Sequence, residues 1–104
     1  MIVTTTNDVG GRPVVAYLGV VRGIVVRSPN IAQGFLGSLQ TIVGGNIEQY
    51  VRVCEQARQD AFTLMVQHAM QIGADAVIGM RYVATLFQQG VTEVLAHGTA
   101  VRLG

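Results

Sequence analysis

Charge is what this sequence lacks most. Only 12% of its 104 residues are charged, about half the usual share for a soluble domain. Seven basic and six acidic side chains leave a net charge of +1, and all seven basic residues are arginines, scattered from Arg12 to Arg102. That balance gives no electrostatic case for nucleic acid or for a membrane surface. A small domain has much surface to keep wet, so the deficit predicts that part of the surface is covered by partners. Cysteine is nearly absent too: Cys54 stands alone, which excludes an intrachain disulfide and makes a reducing compartment the default. The opening "MIVTTTNDVGG" has neither the basic nor the apolar segment of a signal peptide. The longest apolar run, "VVAYLGVV", falls far short of the ~20 residues a membrane helix needs. These absences predict a soluble, cytoplasmic chain forming one domain over residues 1–104, long enough for one core.

What is present is organised by glycine. "IVTTT" (residues 2–6) is β-branched and predicts a short strand, with "NDVGG" as the turn after it. "RPVVAYLGVVRGIVVR" predicts a long strand that does not alternate between apolar and polar residues, as expected of one covered on both faces. Within it Gly19 and Gly23 lie four apart on one face, where a bulge or a close backbone approach is expected. "SPN" ends the strand. Asn30 with Gln33 makes a capping pattern, and Ile31, Phe35, Leu39 and Ile42 then fall at helical spacing until Gly44-Gly45. Asn46 and Gln49 repeat the start signal for a longer helix through Ile72, which Gly73 stops. "ADAVIGMRYVATLF" and "VTEVLAHGTAVRL" are two strands joined by "QQG", a hairpin.

The long helix has a wide apolar arc. At about 100° per residue, Tyr50, Cys54, Ala57, Ala61, Met65 and Ile72 fall in one stripe that should face the sheet. Val51, Phe62 and Ala69 flank it on one side, and Val53 and Leu64 on the other. Val66 and Met70 lie beyond it, beside Arg52 and Gln59. The arc exceeds the ~100° that one core requires. A second contact surface on Phe62, Leu64, Val66 and Met70 is therefore expected.

Reactive chemistry is sparse. Cys54 and His68 stand fourteen residues apart on the long helix, about 21 Å, and Glu93 and His97 about 13 Å apart on one strand face. Metal–ligand bonds are near 2 Å, so neither pair can share an ion within one chain. Only a ring that brings symmetry copies of one residue together keeps a metal site open. With a turn at Gln89-Gly90, Tyr82 is expected opposite His97. Cys54 reads as a small core residue and His68 as a packed, hydrogen-bonded one. "VGGN" could cradle an anion, but a helix stop followed by an Asn cap explains the same residues. No nucleophile elbow and no pair of carboxylates placed for acid–base work appears. Neither a catalytic residue nor a cofactor is predicted, and an enzyme is the weakest reading.

"MIVTTT", "YLGVVRG", "PNI" before the first expected helix, "IVGG" before the second, "GADAVIG" and the closing "GTAV" together resemble the YbjQ family, in order and over essentially the whole chain. The resemblance implies an α/β (α+β) two-layer sandwich of dodecin-like kind, a mainly antiparallel sheet covered by two helices, assembled as a homopentameric ring. It also implies the heavy-metal-binding label that the family often carries. The sequence departs from the family pattern in two places. The long helix has Val51, Val53, Leu64, Val66 and Met70 where relatives tend to have Glu and Lys. The strand after "GADA" has Arg81, Val83 and Thr85 where relatives often alternate acids. Both departures speak against metal and for hydrophobic contact, as in a member redesigned to join a second protein or a larger assembly through its long helix. The expected function is thus a self-assembling structural subunit; the alternative is a metal- or small-ligand-binding module using intersubunit pockets.

Overall fold

A computed structural model describes residues 1–27, 47–88 and 91–104. Among these, four strands form one sheet: β1 (Ile2–Val3), β2 (Val14–Arg27), β3 (Ala76–Gln88) and β4 (Val91–Leu103), in the order β1-β3-β4-β2. β1 runs parallel to β3, and the other pairings are antiparallel. One helix, α1 (Ile47–Gln71), packs on the sheet. The result is a mixed α+β layer pair. The shorter helix predicted over residues 31–43, its caps and the "VGGN" segment lie outside the described residues. Strands of 13 and 14 residues are about 45 Å long at about 3.4 Å per residue, which accounts for the long axis of the 51 × 24 × 18 Å molecule.

Glycine acts where the sequence predicts. Gly19 takes φ 117° at a register shift between Tyr17 and Gly19, so it is the bulge. Gly23 is the close approach: a Cβ there would overlap the Ala61 carbonyl oxygen and lie 2.5 Å from the Met65 nitrogen. Gly73, at φ 79°, stops α1. The Ala74 N–H donates to the Ala69 carbonyl at 3.0 Å and the Gly73 N–H to the Met70 carbonyl at 3.1 Å, satisfying carbonyls that a helix end leaves free.

The core lies between α1 and the sheet. Val21 and Val25 of β2, Val77 and Met80 of β3, and Ala96 and Ala100 of β4 meet Ala61, Met65 and Ala69 of α1. The buried stripe is shorter than predicted. Cys54 is exposed, not a core residue, and Ile72 is 40% exposed. Ala69, expected on the flank, is fully buried. The reason is length: a 25-residue helix spans about 37 Å, and its buried positions run from Ala57 to Ala69, so Cys54 precedes and Ile72 follows the stretch that lies on the sheet. On the opposite face a smaller cluster, Ala76, Ile78, Val101 and Leu103, is covered by Val9 and Val14.

β1 is shorter than the predicted 2–6, but the chain follows β3 further. The Thr4 N–H donates to the Val77 carbonyl at 2.9 Å, the Gly79 N–H to the Thr6 carbonyl at 2.8 Å and the Met80 N–H to the Thr4 carbonyl at 3.0 Å. β2 differs from expectation in its cover. Val21, Gly23 and Val25 are buried under α1, whereas Tyr17 is 71%, Val20 67% and Ile24 45% exposed. Among the described residues, none covers that face of this strand.

Candidate functional site

Register decides which side chains meet, and two bulges reset it. β3 and β4 meet at Gln88↔Val91, as a two-residue connection requires, although residues 89 and 90 lie outside the described ones. A shift between Leu86 and Gln88 then moves every later pair by one position. Tyr82 therefore opposes Ala96, and His97 opposes Arg81; the expected Tyr82–His97 pair does not form. The two rings lie on opposite faces. Tyr82 is on the helix side, with the Arg58 guanidinium carbon 5.6 Å from its ring centroid, within cation–π range.

His97 is also opposite Arg22 of β2. Directly opposed residues share a face, so Arg22, His97 and Arg81 form one row across three strands on the face away from α1. Scattered in sequence, these basic residues share one register row, although the Arg81 guanidinium reaches the other way, to the Thr5 carbonyl on the β1 side of β3. The sequence contains the residues but not the register, and the bulges at Tyr17/Gly19, Ile78/Arg81 and Leu86/Gln88 leave no simple spacing from which to find the row. Glu93 lies on the same face, four residues along β4 from His97 and opposite Val26 and Thr85.

The other candidates are dispersed. His68 is half-buried, and its Nδ1 accepts the backbone N–H of Arg22 at 3.3 Å; it is the packed, hydrogen-bonded histidine expected. Phe62 and Val66 are half-buried and pack against the core. Leu64 is 43% and Met70 64% exposed, yet six residues of helix put them about 120° apart around its axis. The four do not make one continuous patch. An open groove of about 470 Å³ between α1 and the end of β2 is lined by Ile24, Val25, Val26, Asp60, Thr63 and Leu64. Asp60 accepts a hydrogen bond there from Gln56 Nε2 at 2.8 Å.

Among the described residues no three His, Cys, Asp or Glu side chains converge. The one histidine on the bare sheet face has an arginine on either side, and that positive field disfavours a cation. Also among the described residues, no helix is long and apolar enough to cross a membrane.

Comparison with known proteins gives the chain its kinship. A family model described as "Putative heavy-metal-binding" matches residues 1–104. A UPF0145 protein of Solibacter usitatus is 58% identical, covering 97% of this chain and 90% of its own length. A UPF0145 protein of Legionella pneumophila is 52% identical over 97% of this chain and 96% of its own. A crystal structure of a protein of unknown function from Pediococcus pentosaceus, assigned to the DUF74 family, superposes with a TM-score of 0.61. It covers 100% of this chain and 98% of that one at 16% identity, a likeness of fold alone. Matched by the family model from end to end and by close relatives over nearly its full length, this chain belongs to the YbjQ family, UPF0145.

Proposed function

We propose that the protein is a self-assembling structural subunit without catalytic activity, closing into a dodecin-like ring of five. The observation that carries this reading is the outer half of β3. Residues 81–86 are exposed on both faces of the sheet, with Tyr82 40%, Val83 43% and Leu86 68% accessible. β1 pairs only with Ala76 and Val77, so the outer half of β3 also forms a sheet edge. β2 forms the other edge, with Val15, Tyr17, Val20 and Ile24 exposed. Long apolar strand edges recruit further strands unless something covers them. Burying each such side chain contributes roughly 1.5–3 kcal/mol, and ring symmetry repeats the contact in every subunit.

Light scattering at micromolar concentration should give five times the chain mass. Leu86→Glu combined with Val83→Lys should yield smaller, folded particles with an unchanged far-ultraviolet spectrum. A stable monomeric parent would sink the reading.

The family description favours a second reading, in which symmetry copies of one residue bind a metal between subunits. Dialysed protein, made without a His-tag, is expected to retain no stoichiometric transition metal. One zinc or copper per subunit that survives dialysis and is lost in His97→Ala would favour the second reading over the first.

A further inference from the structure

We infer that the groove between α1 and β2 receives the outer half of β3 from a second copy of this chain, added to β2 as a parallel strand. The inference rests on the ring proposed above and names the contact that would close it. The groove opens on the free edge of β2. The Arg22 N–H donates to His68 Nδ1 at 3.3 Å, so it points away from β4. Backbone directions alternate along a strand, so the N–H and C=O of Ile24 and Val26 point the same way. Among the described residues no hydrogen-bond partner meets them. Asp60, Leu64 and His68 stand four apart on α1 and share one stripe of the helix. His68 reaches the β2 edge, so that stripe overlooks it, and Asp60 and Leu64 line the groove with Ile24, Val25 and Val26. An exposed strand edge accepts an extended segment as an added strand, with side-chain pockets beside it setting the fit.

The two free edges are blocked at matching heights. On β2, His68 occupies the outward N–H at position 22 and leaves the edge open from Ile24 onward. On β3, the chain after β1 covers the edge as far as Met80, whose N–H donates to the Thr4 carbonyl at 3.0 Å. The β3 edge is therefore open from Arg81 onward, and residues 81–86 are exposed on both faces. β2 and β3 each run antiparallel to β4, hence parallel to each other. Rotation about an axis along the strands preserves their direction, so a cyclic neighbour presents its β3 parallel to β2. Setting the two open stretches side by side aligns Ile24 with Arg81 of the partner subunit and Val26 with the partner's Val83. A two-fold contact would join like edges, stop at two copies and leave the other apolar edge uncovered.

The test is disulfide trapping of the full chain in a Cys54→Ser background, which removes the single native cysteine. Val26→Cys is combined in one chain with Val83→Cys, and separately with Thr85→Cys. Within a chain β4 lies between these positions, so their Cα atoms are about 10 Å apart or more, beyond the ~7 Å that a disulfide can bridge. Mild oxidation should give a reducible ladder reaching five chains on a denaturing gel in at least one double variant. The single variants should give no cross-link. Leu64→Glu should slow trapping on the order of ten-fold or more, the loss of one buried apolar side chain. Met70→Glu, at a 64% exposed position about 120° away around the helix, should leave the rate unchanged. A dimer from any single variant overturns the inference in favour of a two-fold contact, and equal slowing by Leu64→Glu and Met70→Glu removes the groove from it. Light scattering of the Cys54→Ser parent separates the inference from the ring. A ring of five without a ladder in either double variant overturns the groove contact and leaves the ring standing, whereas a stable monomer overturns both.

Discussion

Gly23→Ala is expected to destabilise the protein by about 3 kcal/mol or more, the upper end of overpacking effects. The added methyl would overlap the Ala61 carbonyl oxygen and approach Met65 N to 2.5 Å and Leu64 Cβ to 2.8 Å. Two of those atoms belong to the helix backbone, so no rotamer change relieves the contact. The helix must lift or β2 must bend, and either opens the core along Ala61, Met65 and Val21. For a domain of this size the loss lowers Tm by roughly 10–20 °C. Gly10→Ala is the control: nothing lies within 4 Å of a Cβ there and its φ is not positive, so the effect should stay within about ±0.5 kcal/mol. Thermal and urea unfolding of the two variants measure the difference. Equal midpoints would mean that α1 does not rest on β2 at Gly23.

Met65→Ala should cost about 3–5 kcal/mol, the upper part of the range for truncating a buried side chain. Met65 is fully buried, and among the described residues it is the largest of the fully buried side chains. Its neighbours explain why the loss falls so high. Beside Val21, Val25, Val77 and Met80, its cluster is made of Ala61, Ala69, Ala96 and Ala100, and residues so small have no side chain to move into the space. The cavity would persist unless the backbone closed on it. Met70→Ala removes the same group from a 64% exposed position on the same helix, and should change stability by less than about 0.5 kcal/mol. If the two variants unfold at the same urea concentration, the packing direction of α1 is wrong.

These two sites show what could be read from sequence. The glycine pair at 19 and 23 predicts a bulge or a close approach, and β2 uses one of each. Ala57, Ala61 and Met65 follow from helical periodicity, because periodicity fixes which residues share a face. It does not fix where the opposing layer ends, so Cys54 and Ile72 fall on the same stripe but beyond the sheet. The two strands and their hairpin follow from alternation and turn residues. Their register does not, because a bulge carries no sharp signature in "ATLFQQGVTEV" and displaces every later pair. The missing Tyr82–His97 pair, and the pairing of His97 with Arg81 instead, come from that one residue of slippage. The bare face of β2 was legible only as an apolar pattern; whether the chain or a neighbour covers it depends on the position of the helix.

The contact between His68 and the edge of β2 bears on proton exchange with solvent. Hydrogen-bond directions alternate along an antiparallel strand, and the Arg22 N–H points away from β4 to the His68 ring on α1. Val20 shares that outward orientation and has no side-chain acceptor among the described residues. In a dissociated subunit its amide should exchange at a rate set by access to water, whereas a neighbouring strand in the ring would protect it. The Arg22 amide, two residues away, should exchange only when α1 leaves the strand, with a protection factor that measures this opening. A single amide in the middle of an edge strand thereby becomes a gauge of helix docking.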